Sequence, residues 1–131
     1  MILVDTSIWI DLLGAKPWRP PKREDLSKFV TCGPIVQEVL QGLRPGPQSD
    51  AFRRALKAMP VLSDPISLDL FVSAADIYAQ GRRRGVTIRS SVDCLIAAIA
   101  IEYRVPVWHR DRDFDVIAKF TTLEALRSWT V

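Results

Sequence analysis

Hydrophobic residues along this chain fall into short β-branched runs separated by longer segments of helical spacing. Ile2-Leu3-Val4 reads as a buried strand, and Thr6 or Ser7 can cap a helix through Leu13 that Gly14 stops. Lys16-Pro17-Trp18-Arg19-Pro20-Pro21 reads as a loop. A short helix over Glu24–Phe29 leads to a second strand, Val30–Cys32. Pro34 suits the first position of a helix whose apolar residues are Ile35, Val36, Val39, Leu40 and Leu43, and Arg44-Pro45-Gly46-Pro47 breaks it. Asp50 is a candidate cap for a helix over Ala51–Ala58. Leu68, Phe71, Val72, Ala75 and Tyr78 repeat at three and four, which predicts a long helix from about Ser67 with that stripe buried. Arg82-Arg83-Arg84-Gly85 closes it, with basic residues at the negative helix end and a glycine beyond. Ser90 or Ser91 caps a further helix to about Tyr103. Val105–Trp108 predicts a strand that Pro106 keeps short or near an edge. Phe114–Ala118 is a helical turn, Thr121–Leu123 a last strand, and Glu124–Trp129 trails.

Alternating strands and helices predict an α/β fold, a mostly parallel central sheet covered by helices on both faces. In such sheets ligands bind outside the carboxyl ends of the strands. The acids at those ends are therefore the residues of interest. Asp5 follows the first strand directly, and Asp111, Asp113 and Asp115 follow Val105–Trp108. Asp93 falls in the first turn of the helix opened by Ser90-Ser91, and Glu38 one turn into the Pro34 helix, bordering its apolar side. Each has a structural explanation: Asp93 and Asp113 complement helix dipoles, and Glu38 is an exposed helix residue. Asp5 resists such an explanation, because an acid joined to a buried strand needs a hydrogen-bond partner, a counter-charge or a metal.

Composition narrows the chemistry. With 131 residues the chain is expected to form a single domain, residues 1–131, with core enough to fold without disulfides. Two distant cysteines, Cys32 and Cys94, and a single His109 exclude the usual zinc sites, and the cysteines are expected as free, buried thiols. Carboxylates without Cys or His ligands suit Mg²⁺ or Mn²⁺, which can orient a water and stabilise the leaving oxygen of a phosphodiester. The formal net charge is +3, and 13 of the 18 basic residues are arginine. Five acids gathered around a metal would leave ten against eighteen basic residues, a surface suited to an anionic polymer. Arg82, Arg83, Arg84, Arg89, Arg110 and Arg112 lie beside the segments carrying Asp93 and Asp111 and are candidates for nucleic-acid or partner contact; for the first three, a solvated helix end is the alternative. Trp9 and Trp108 are expected in the core and Trp18 at an exposed partner surface. The longest apolar run, Cys94 to Ile101, is too short for a membrane span. Asp5 and Asp11 interrupt an apolar start that lacks a basic leader, so no signal peptide is read and the expected address is the cytoplasm.

Asp5-Thr6-Ser7 after the first strand, Pro34-x-x-x-Glu38-Val39-Leu40-x-Gly42, Asp93-x-x-Ile96-Ala97-Ala98 and Asp111-x-Asp113-Phe114 together resemble a PIN-domain ribonuclease, and most of all the toxins of VapBC toxin–antitoxin pairs. The resemblance covers nearly the whole chain. It implies a PIN-like three-layer α/β/α fold and a Mg²⁺- or Mn²⁺-dependent endoribonuclease that cuts RNA until a VapB-like antitoxin binds. It also implies a homodimer within a larger toxin–antitoxin assembly. By the same resemblance Asp5, Glu38, Asp93 and Asp111 would be the catalytic, metal-holding quartet, Ser7 would steady Asp5, and Asp113 would be a fifth acid. His109 departs from relatives that carry Thr or Ser there, and its role is open between a structural polar residue and a contact to substrate. A non-toxin PIN-like RNA-processing nuclease and a PIN-like module that binds without cutting are the alternatives. A receiver-type signalling domain would need an acidic pair after the first strand and a late rim lysine, and only Asp5 and a misplaced Lys119 are present. An aspartyl phosphatase would need an acid where Ser7 stands.

Overall fold

The computed structural model describes residues 1–14 and 21–128, so the expected exposure of Trp18 and the trailing Trp129 lie outside the described residues. The chain runs β1 (Ile2–Val4), α1 (Thr6–Gly14), α2 (Arg23–Leu26), β2 (Phe29–Cys32), α3 (Gly33–Gly42), α4 (Pro47–Leu56), β3 (Val61–Leu62), α5 (Leu68–Arg83), α6 (Ser91–Tyr103), β4 (Val107–Trp108), α7 (Arg112–Ala118) and β5 (Ala125–Leu126). The five strands form one all-parallel sheet in the order β3-β2-β1-β4-β5. The first two crossovers step one way along the sheet and the last two the other. With right-handed connections this deals helices to both faces, giving the three-layer α/β/α architecture. Covered on both sides, β1 and β2 are buried at every residue, which is why they read as continuous apolar runs and not as alternation. Trp9 is fully buried, edge-on to Phe29 and Phe52 with ring centroids 6.0 and 5.1 Å away, and Trp108 packs partly buried against the core. Both cysteines are free and buried.

The chain changes direction of winding between β1 and β4. Leu3 pairs with Val30 on one side and with Val107 on the other. That switch opens a crevice at the carboxyl ends of these two strands, where Asp5 leaves β1 and His109 to Asp111 leave β4.

Several expectations need correcting. The long helix α5 forms and ends as expected: Ser67 caps it, and Gly85, at φ 72°, closes it with Val86 N donating to Gly81 O at 2.9 Å. Its stripe, however, faces out. Leu68, Phe71 and Val72 are 77%, 49% and 52% exposed, Ala75 is also exposed, and the helix instead buries Leu70, Ala74, Ile77 and Gly81. The helix packs along α6, and Gly81 at its end lies against Ile88 and Phe120. The last strand is Ala125–Leu126, not Thr121–Leu123. The Thr121 hydroxyl bonds Ile117 O at 2.8 Å and accepts from Leu123 N at 3.2 Å, a local turn that takes those groups out of a ladder. β4 is short, but it lies inside the sheet and not at an edge. It begins after Pro106, whose carbonyl still accepts from Leu3 N. Asp50 caps nothing: α4 starts at Pro47 after Gly46, and Asp50 N already donates to Gly46 O at 3.0 Å. The first short helix stops at Leu26, and β2 starts one residue early because Phe29 pairs with Ile2. β3, two residues between Pro60 and Pro65, is too brief to show a period and escapes the sequence reading.

Candidate metal centre

Asp5 is 3% exposed at the end of β1. Its backbone N–H completes the sheet by donating to Trp108 O at 3.0 Å, and its carbonyl accepts from Ile8 N and Trp9 N. Its Oδ2 accepts from Ser7 N at 3.1 Å and from Ser7 Oγ at 2.6 Å. Asp5 itself therefore caps α1, which frees Thr6 and Ser7 from the capping role expected of them. Ser7 Oγ accepts in turn from Arg110 N at 3.0 Å, so one hydroxyl ties the β1 and β4 ends together. Thr6 Oγ1 donates to Glu38 Oε1 at 3.0 Å, bringing the half-buried Glu38 of α3 to the same crevice.

The other wall comes from α6 and α7. Ser90 caps α6 by accepting from Asp93 N, and Asp111 caps α7, its Oδ1 accepting from Asp113 N at 2.9 Å. Asp113 reaches back across the fold: its Oδ2 accepts from Arg89 N at 2.9 Å and Ser90 N at 3.2 Å, locking the start of α6 against α7. Asp93, Asp111 and Asp113 each offer an oxygen within 4.8 Å of the others. Two buried oxygens, Asp93 Oδ2 and Asp113 Oδ1, have no hydrogen-bond partner among the described residues. Unpartnered buried carboxylate oxygens, aligned with further acids and no thiol or imidazole ligand, are the donor set of a hard divalent cation.

Electrostatics agrees. Burial, then the adjacent Asp111 carboxyl and the charges of Asp5 and Asp113, push Asp93 up to about 9. Burial raises Asp5 as well, against the lowering effect of the Ser7 bonds, with Asp111 adding repulsion. Glu38 is raised by burial and by Asp5 and Asp111, against the Thr6 bond. Asp5, Glu38, Asp93 and the Asp111–Asp113 pair, from four separate segments, therefore share one field. Burial also holds Cys32 up at about 12 and Cys94 at about 11, leaving both as inert thiols.

His109 is fully buried, so it makes no direct contact with a solvent-side substrate. Of the six arginines singled out, Arg89, Arg110 and Arg112 flank the acids along the chain. Arg110 pairs with Asp11 at 2.7 Å. Arg82 lies over the Tyr78 ring at 5.1 Å and Arg84 over Phe120 at 5.4 Å, beyond the end of α7 opposite to Asp111. Sequence reasoning missed the site roles of two residues, Thr6, which holds Glu38, and Ser90, whose N–H meets Asp113, and it named Asp115 as a strand-end acid without seeing its place beside His109. Thr6 and Ser90 carried a signal only as helix caps.

Fold and site together define an α/β protein with an acidic crevice, suited to a divalent cation, at the switch point of a parallel sheet. The PIN domain model matches residues 2–120. Ribonuclease VapC11 of Mycobacterium tuberculosis and a VapC ribonuclease of Mycobacterium bovis are each 39% identical over 131 residues, covering 95% of this chain and 97% of theirs. The chain belongs to the PIN-domain family and, within it, to the VapC ribonucleases. The crystal structure of VapBC2 from Rickettsia felis, bound to a DNA fragment of its promoter, shares the fold at TM-score 0.71 and 16% identity over 95% of this chain and 97% of that one. Among the described residues no helix is long and apolar enough to cross a membrane.

Proposed function

We propose that this chain is a Mg²⁺- or Mn²⁺-dependent endoribonuclease, the toxin of a type II toxin–antitoxin pair, acting in the cytoplasm as a single domain. The observation that supports the reading is the grouping of Asp93, Asp111 and Asp113 within 4.8 Å, coupled electrostatically to Asp5 and Glu38, with two buried oxygens left unpartnered. Asp93, Asp111 and Asp5 would hold the cation, with Glu38 and Asp113 completing its surroundings. When bound, the cation lowers the pKa of a water and offsets charge on a phosphodiester oxygen. The chain's own part is positional. Ser7 fixes the Asp5 carboxylate, Thr6 fixes Glu38, and Asp113 fixes the start of α6 and with it Asp93. Glu38, half-buried, with its carboxyl raised by burial, would be the acid available to accept a proton from a water. Arg89, Arg110 and Arg112 border the crevice for the RNA backbone.

Asp5→Asn keeps the Ser7 bonds but removes a charge, so it should abolish cleavage of labelled RNA in Mn²⁺ while the circular-dichroism spectrum stays native. Cleavage at the parent rate would overturn the site. A PIN-like module that only binds RNA would show retention of the RNA without Mn²⁺-dependent products. The partners are a VapB-like antitoxin and a second copy of the chain. The exposed stripe Leu68, Phe71 and Val72, with Val61 beside it, supports a homodimer surface.

A further inference from the structure

We propose that His109 is a positioning residue that aims Asp111 into the metal site, with Asp115 and Arg127 holding the imidazole in the required tautomer. The inference rests on Asp111 as a metal ligand. His109 is sealed in the core, its backbone N–H donating to Leu126 O at 2.9 Å and its ring 5.3 Å from that of Phe114. Its Nδ1 accepts from Asp111 N at 3.1 Å. A ring nitrogen that accepts an N–H carries no proton, so the neutral ring bears its proton on Nε2. Nε2 stands 3.2 Å from Asp115 Oδ1, off the hydrogen-bond axis, so the attraction is that of a carboxylate for the N–H edge. Asp115 is anchored by the residue that follows β5, its Oδ2 accepting from Arg127 Nε at 2.8 Å and from Arg127 Nη2. The chain Arg127, Asp115, His109, Asp111 thus fixes the backbone of Asp111, while Asp113 N fixes its carboxylate at Oδ1. With the proton on Nδ1, two N–H groups would face each other and Asp111 would turn. Outer partners that orient ligands in this way are worth 10–100-fold in metal affinity.

The test reads the imidazole ¹⁵N resonances of the metal-free protein at neutral pH and Mn²⁺ affinity by electron paramagnetic resonance. The variants are Asp115→Ala, His109→Leu, His109→Asn and Asp111→Asn. The parent should show a single tautomer with the proton on Nε2. Asp115→Ala, a change at a partly exposed side chain, should give mixed tautomers and bind Mn²⁺ about tenfold more weakly. His109→Leu should lose at least as much. His109→Asn, whose amide oxygen can accept from Asp111 N, should recover part of the loss, which a role in packing alone would not produce. If His109→Leu does not fold, Asp115→Ala and His109→Asn carry the test. A proton on Nδ1 in the parent overturns the proposal. So does parent-like Mn²⁺ affinity in folded Asp115→Ala and His109→Asn while Asp111→Asn loses the ion. Should Asp111→Asn itself bind Mn²⁺ as the parent does, the ligand assignment fails first and this proposal with it.

Discussion

Asp93 carries the heaviest electrostatic load of the crevice. Its carboxyl moves from an ordinary 3.8 to about 9, through burial first and the Asp111 carboxyl second. Between those values the folded, metal-free protein holds a proton that the unfolded chain has released. Stability from this group is fully present below about pH 4 and is lost as pH rises toward 9, by at most about 1.4 kcal/mol per unit. Asp93→Asn removes the dependence, so in EDTA at pH 8 it should melt above the parent, by the equivalent of about 0.5–2 kcal/mol, while losing activity. Melts from pH 5 to 8 decide this: parallel curves for the two proteins would mean that Asp93 holds no such proton. Asp5 was legible at this scale because an acid fused to an apolar run demands an explanation. The role of Thr6 was not, because its partner Glu38 lies 32 residues away, and Asp115 was visible as a strand-end acid but not as the partner of His109 and Arg127.

Helix α5 shows what an element's pattern does and does not encode. Leu68, Phe71, Val72, Ala75 and Tyr78 make a true period-3.6 stripe, yet the core takes Leu70, Ala74, Ile77 and Gly81. Periodicity reports that a face is apolar, not whether it meets this chain or another. The two faces should therefore respond differently. Ile77→Ala should cost about 2–4 kcal/mol by opening a cavity. Phe71→Ser should change monomer stability by less than about 1 kcal/mol, yet shift light-scattering mass from dimer to monomer. A parent that is monomeric at micromolar concentration would remove the dimer surface. The arginines divide in the same way. An arginine that neutralises one phosphate of a single strand adds ~0.7 to the salt slope of binding. Alanine at Arg89, Arg110 and Arg112 should reduce the slope by roughly that much each, because they border the acids. Alanine at Arg82, Arg83 and Arg84 should leave it near the parent value, because that segment stacks at the far end of α7. A slope that falls only in the second set would place the RNA path along α5 instead.

At the scale of the whole molecule, the alternation of runs was enough to give the layers and the strand-end location of the site. The sheet's edges stayed hidden because β3 and β5 are two residues each and are set by backbone pairing with neighbours, not by their own pattern. What the topology adds is coupling. The crevice collects acids from residues 5, 38, 93, 111 and 113, so a cation there would tie β1, α3, α6 and the β4–α7 corner into one unit that must come apart on unfolding. Binding to the folded state alone stabilises by about 2.7 kcal/mol at a hundred times the dissociation constant. In the parent, Mn²⁺ should therefore raise the melting temperature in a single cooperative transition, offsetting the repulsion that EDTA exposes. Asp5→Asn and Asp93→Asn, with one charged ligand fewer on opposite walls, should lose most of that shift although their folds are intact. Calorimetric melts of the three proteins in EDTA and in saturating Mn²⁺ check it. Equal Mn²⁺ shifts in all three would mean that the ion binds elsewhere on the surface, and that the two walls are held together by Ser7 and Asp113 alone.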